Sequence, residues 1–261
     1  MHLHIMSYVL RDLIRNRWFF VYAAFFFLLT TGLFQLQGAE AKVSVGLLSA
    51  CLFLLPLLSS LFGIIYFYNA REFVELILTQ PLQRKSVFFG MLMGLGFGMF
   101  AGFLLGIAIP HLLYGAVNSS SISSLVILVT VGGVLSLIFL AIALYIAVRF
   151  DDRGKGLAAT LGFWLFAALI YDGLMLAGAM LFSGYPLELP LLGASALNPI
   201  DLARVLLLFE TDWAALMGYT GAVFQKTLGT GVGIGVAMLL LLSWIAMPTL
   251  LGARNFQRKD F

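Results

Sequence analysis

Six long apolar runs divide the chain, at about residues 18–36, 47–68, 87–115, 125–148, 156–182 and 228–251. Each matches the roughly 20 residues that a helix needs to cross a hydrocarbon core of about 30 Å. A segment in lipid must satisfy its own backbone groups, which runs of this length do as helices. The pattern predicts an all-α integral membrane protein, one transmembrane domain over residues 1–261 with six transmembrane helices. Before the first run, Leu10, Leu13, Ile14 and Trp18 form a helical stripe that Arg11, Arg15 and Arg17 avoid. That pattern predicts an N-terminal interfacial helix. Ala39, Glu40 and Ala41 resemble a signal-peptidase site. The run before them exceeds the usual 7–15 residues of a signal peptide, so it is expected to remain as a membrane anchor.

A polar island, residues 69–90, separates the second run from the third. Phe73, Leu76 and Ile77 are spaced i, i+3, i+4 beside Arg71, Glu72 and Glu75, which predicts a short amphipathic helix. Pro81 cannot continue it, and Arg84 and Lys85 mark the return to the bilayer. Such a helix can push on a partner or be pushed. In the third run Gly90, Gly94, Gly98, Gly102 and Gly106 recur every fourth residue. A stripe of this kind lets another helix approach closely, for packing alone or for sliding. Between the fifth and sixth runs, Asn198 suits a helix N-cap and Pro199 the first helical position. The short helix predicted there carries an i, i+3 pair, Asp201 and Arg204, and is too short to span. It can dip into the outer leaflet, cap a pore, dock a partner, or lie on the interface.

Composition agrees with the pattern: 62% of the 261 residues are apolar and 10% charged. With a mean hydropathy of +1.04, the chain cannot cover a globular surface with polar groups. The net charge of +3 gives no argument for nucleic acid. Its placement follows topology instead. Arg11, Arg15, Arg17, Arg71, Arg84, Lys85, Arg149, Arg153, Lys155, Arg254, Arg258 and Lys259 fall on one side if both termini are cytoplasmic. Lys42, Arg204 and Lys226 remain for the other side, which accounts for all 15 Lys and Arg residues. This is the positive-inside asymmetry of a protein with both ends in the cytoplasm.

Candidate chemistry is sparse. Asp172 is the one formally charged residue inside a run, about 24 Å from Gly156 at 1.5 Å per residue. A carboxyl at that depth either serves a transport path or accepts a hydrogen bond from a neighbouring helix. No G-x-x-x-x-G-K-[ST] loop occurs, since Arg153-Gly154-Lys155-Gly156 has neither the earlier glycine nor the hydroxyl residue. ATP hydrolysis is therefore expected elsewhere, and the chain is expected not to be an enzyme. His2, His4 and His111 have no metal-ligand spacing, and the single Cys51 reads as a small core residue. The ten methionines include Met91, Met93, Met99, Met175 and Met180, whose thioethers suit Cu(I) but are also ordinary membrane filling. No metal site and no bound cofactor are expected.

The residues from Arg71 to Arg84 resemble the R-E-x-x-x-E-L-L-L-S-Q-P-V-S-R stretch of the ABC type-2 permeases. They depart from it where Gly-Thr is replaced by Phe73-Val74. Leu169-Ile170-Tyr171-Asp172, Leu197 to Arg204 and the end from Arg254 to Phe261 are similar to L-L-Y-D, L-N-P-x-D-x-x-R and R-x-F-x-x-x-D in the permeases that serve nitrous oxide reductase maturation. The resemblance implies a homodimer in the bacterial inner membrane, bound to two cytoplasmic ATPase subunits that use ATP and Mg. The stretch from Glu72 to Thr79 would be the coupling helix, seated in a groove of the ATPase. Asn198, Pro199, Asp201 and Arg204 would dock a periplasmic partner. The implied role is copper-centre maturation, with the cargo open. A permease for a lipid, drug or haem-related compound is the alternative. An ion-coupled carrier using Asp172, or a membrane scaffold, would need no ATPase.

Overall fold

A computed structural model describes residues 2–15, 17–37, 40–79, 83–115, 119–182, 188–209 and 230–259. Their regular structure is entirely helical. The helices are α1 (His2–Arg15), α2 (Arg17–Gln37), α3 (Glu40–Asn69), α4 (Arg71–Leu78), α5 (Arg84–Leu113) and α6 (Ser119–Arg149). Then come α7 (Arg153–Leu165), a π-helical turn (Phe166–Ile170), α8 (Tyr171–Leu181), α9 (Glu188–Ser195), α10 (Pro199–Phe209) and α11 (Thr230–Arg258). Six segments are long and apolar enough to cross a membrane, with α7, the π turn and α8 forming the fifth. The protein is thus a multi-pass membrane protein.

Helix α3 begins at Glu40, ahead of the apolar run expected from residue 47. Hydropathy marks only the hydrocarbon-embedded length, whereas the backbone ladder continues through the interface. Helix α6 is the centre of the bundle, lying against α3, α5 and α11. Phe139, Leu140, Ala141, Ala143 and Leu144 on it are all inaccessible. The fifth span is the opposite case, with only 6% of its apolar window buried.

Helices α1 and α2 are both held by α5. A Cβ on Gly90 would fall 2.7 Å from Ile5, on Gly94 2.8 Å from Val9, and on Gly98 2.9 Å from Leu13. Gly102 continues the contact under Tyr22 and Phe19, and Gly106 under Phe26. Residues four apart on α1 therefore sit in the groove left by glycines four apart on α5, which is ridge-into-groove packing. The buried stripe of α1 is consequently Ile5, Val9 and Leu13 rather than the expected Leu10, Leu13, Ile14 and Trp18. Leu10 is half-buried, and the side chains of Ile14 and Trp18 lie outside the described residues. The groove selects the face, and Leu13 alone belongs to both stripes.

Replacing Gly94 with Ala is expected to destabilise the chain by about 1–3 kcal/mol, because Val9 and the Met6 carbonyl leave no room for a methyl. Gly32, with nothing within 4 Å of its Cβ position, is the control. Gly32→Ala should be neutral or stabilising, since alanine is the better helix former. Thermal unfolding of both variants in detergent compares them. Equal midpoints for the two would contradict the close approach.

Candidate functional site

Helix α4 follows α3 almost without interruption, since Ala70 N–H donates to the Tyr66 carbonyl and Val74 N–H to that of Ala70. Its rotation is inherited from α3. Val74 becomes the buried residue, Ile77 and Phe73 are half-buried, and Leu76 is 62% exposed. The expected face of Phe73, Leu76 and Ile77 is corrected accordingly. Phe73 stacks on Tyr8 of α1 at 4.6 Å between ring centroids. Glu72 is exposed, while Glu75 Oε1 lies 3.1 Å from Arg71 Nε. Pro81 lies outside the described residues.

Arg71 also reaches the α6–α7 junction, with Nη2 3.7 Å from Asp151 Oδ1. Lys259 Nζ lies 2.8 Å from the same carboxylate oxygen and donates to the Val148 carbonyl. That ammonium holds the Asp151 carboxyl below the usual carboxylate range. Arg84 donates to the carbonyls of Gln257 and Lys259, so the C-terminal end is tied to the start of α5. Tyr68 donates to the Phe150 carbonyl at 2.8 Å, and its hydroxyl occupies the place of a side chain on Gly156. Asp152 caps α7 by accepting from Lys155 N–H at 2.7 Å. The coupling-like helix, the start of the fifth span and the C-terminal end thus meet in one polar network.

The middle of the fifth span is tied as well. Asn198 is buried and serves two elements at once. Its Oδ1 accepts from Ile200 N–H at 3.1 Å and caps α10, while its Nδ2 donates to the Ala167 carbonyl at 2.9 Å. Ala167 lies in the π turn, where the ladder shifts to i, i+5 and carbonyls are re-aimed. Tyr171 donates to the Ala194 carbonyl, and Trp244 of α11 to that of Ala196 at 3.1 Å. Pro199 takes the first position of α10.

Asp172 meets Arg204 here. Arg204 Nη2 lies 2.9 Å from Asp172 Oδ2, and Nη1 lies 2.9 Å from Asp201 Oδ1. Burial pushes the Asp201 carboxyl up to about 7, with Arg204 opposing the rise and Asp172 adding to it. Two carboxyls around one guanidinium carry a net charge of −1 when both are ionised and zero when Asp201 is protonated. A proton or cation therefore suits the cluster better than an anion. Arg204 also borders a cavity of about 300 Å³ between α3 and α10, whose other polar wall residue is Ser49.

Sequence spacing pointed to Asp201 with Arg204, but not to Asp172 with Arg204, which are 32 positions apart. It also missed Asp151, Lys259, Tyr8 and Asp12. Asp12 carried a readable signal as the one acid on a helix with two arginines. Asp151 and Lys259 carried none, because their pairing depends on how α6 and α11 are arranged. No group of three or more His, Cys, Asp or Glu side chains suited to a metal occurs among the described residues.

No family model matches the chain. It is 30% identical over 278 aligned residues to the probable ABC transporter permease protein NosY of Pseudomonas aeruginosa, covering 96% of this chain and 95% of that protein. The protein of the same name from Stutzerimonas stutzeri is 28% identical over 271 aligned residues, with the same coverage of both chains. The alignments extend over nearly the whole length of the chain, and the chain belongs to the NosY-like permeases of ABC transporters.

Proposed function

We propose that the chain is the membrane subunit through which a separate, NosF-like ATPase drives a change needed for copper-centre maturation of nitrous oxide reductase. ABC permeases work with an ATPase partner in general, and the nitrous oxide reductase role is what the resemblance of the Leu169–Asp172, Leu197–Arg204 and Arg254–Phe261 stretches implies. The observation that carries the reading is the placement of α4. It offers Glu72 and Leu76 outward while Val74, Phe73 and Arg71 fasten it to α1 and to the α6–α7 junction. A force on the exposed face is therefore delivered to the start of the fifth span rather than lost in a loose loop.

In this reading the α4 end faces the cytoplasm of a bacterial inner membrane, with both termini on that side. ATP and Mg are bound by the partner. Two copies of the chain form a homodimer, which the sparsely covered fifth span favours. Helix α10, with Asn198, Pro199, Asp201 and Arg204, faces the periplasm, where a NosD-like protein docks. The cargo is either a substrate or a conformational signal.

Reconstitution in lipid nanodiscs with the candidate ATPase tests the coupling role. Leu76→Asp changes an exposed side chain, so the chain should stay folded while ATPase binding weakens at least tenfold. Glu75→Arg removes the pair with Arg71 and should uncouple ATP hydrolysis from the permease. Wild-type ATPase binding by Leu76→Asp together with wild-type coupling in Glu75→Arg would defeat the assignment of α4. At the other end, Arg204→Met leaves Asp201 unpaired at 3% exposure. Because Arg204 is one-third exposed and the Asp201 carboxyl, already pushed up to about 7, takes a proton once the guanidinium is gone, the cost is about 1–3 kcal/mol, which thermal unfolding should register. Capture of the NosD-like partner should fall with it, and Arg204→Met, Asp201→Asn should recover stability.

A further inference from the structure

A cleft of about 440 Å³ opens at the α4 end, between α1 and the last turns of α3. It falls within the 300–1,000 Å³ typical of ligand sites. The coupling and docking roles proposed above make no use of it. Its one formally charged side chain is Asp12, set among the rings of Tyr8, Phe62, Tyr66 and Phe73, with Leu58 on the apolar wall. Tyr66 donates to Asp12 Oδ2 at 3.3 Å, which leaves most of the carboxylate's acceptor sites open. Among the described residues no Lys or Arg forms an ion pair with it.

A carboxylate in a partly dry cleft is stabilised by a cation that enters the cleft. The surroundings define the kind of cation. Tyr8 and Phe73 lie nearly parallel, 13° apart, and the electron-rich face of an aromatic ring, unlike its electron-poor edge, favours ammonium over a hydrated metal ion. The aliphatic wall gains from hydrocarbon rather than from water. An anionic amphiphile would meet Asp12 with like charge.

We propose that this cleft binds the ammonium group of an amphiphile, with the charge against Asp12 and the Tyr8–Phe73 stack and the hydrocarbon along the α3 wall. The amine is either the headgroup of an aminophospholipid or a free hydrophobic amine. The inference goes beyond the coupling role and stands without it. Because Phe73 belongs to α4, an occupant braces that helix against α1.

The test uses the full-length chain, delipidated in a non-ionic detergent. Native mass spectrometry is run with phosphatidylethanolamine and phosphatidylglycerol at equal concentration, and thermal unfolding is run with octylamine. At least fivefold preference for phosphatidylethanolamine, abolished in Asp12→Asn and retained in Asp12→Glu, identifies the lipid headgroup. Stabilisation by octylamine without lipid preference, again lost in Asp12→Asn, identifies a free amine. If Asp12→Asn fails to fold, Phe73→Leu decides, and it should weaken amine binding at least threefold while Tyr66→Phe retains it. Equal binding of the two lipids together with no Asp12-dependent or Phe73-dependent effect of octylamine would overturn the proposal.

Discussion

Close approach between helix backbones holds the amino-terminal part of this chain to the bundle. Lipid tails are as apolar as the phenylalanines of α2, so burying those rings against α5 gains little from the hydrophobic effect. Dispersion between well-fitted surfaces remains, and it requires short distances. The five glycines of α5 supply them by removing every side chain along one ridge. The consequences extend beyond α5. Helix α1 is set by Ile5, Val9 and Leu13 in that groove, Tyr8 is carried by α1, and Phe73 of α4 stacks on Tyr8. The position of the helix offered to a partner is thus referred back to the glycine ridge.

How far each feature was legible depends on what fixes it. The bilayer's thickness fixes the six spans, and hydropathy reports that thickness directly. The glycine repeat was visible, but its occupants were not, since a groove does not name what fills it. Helix α4 was placed correctly and rotated wrongly. Phe73, Val74, Leu76, Ile77 and Leu78 are all apolar, so eight residues cannot single out one face by pattern. The continuity of α3 into α4 decides it, through hydrogen bonds that no spacing rule contains. Local signals such as the Asn198 cap and the Asp201–Arg204 pair could be read because both partners lie within one turn. The Ala167 carbonyl could not, because the π turn that presents it has no sequence signature here.

Charge is distributed in the same economical way. A surface ion pair contributes about 1 kcal/mol at most, and the Arg71–Asp151–Lys259 group is largely wet. Its value lies in geometry. One carboxylate receives α4 through Arg71 and the C-terminal end through Lys259, while its neighbour Asp152 caps α7. Two chain segments far apart in sequence are thereby indexed to the first turn of the fifth span. The Asp172–Arg204–Asp201 group differs in having one nearly inaccessible carboxylate, so its removal has an energetic cost and not only a positional one.

The fifth span is held at its start and again near its middle, while α8 beyond has no buried residue. Its start is joined to α4 through the Asp151–Asp152 turn, and its middle to α9 and α10 through Asn198, Tyr171 and Asp172. Helix α10 in turn lies on α6, α3 and α11, which form the well-buried part of the bundle. A displacement delivered at α4 can therefore move the start of the fifth span, while its middle remains fastened to α10. The difference must be absorbed between those ties. The π turn sits at the second of them, with a ladder already out of α-helical register and a carbonyl committed to Asn198. In the proposed coupling reading, this turn is where motion arriving from α4 is either taken up or passed to the outer segment.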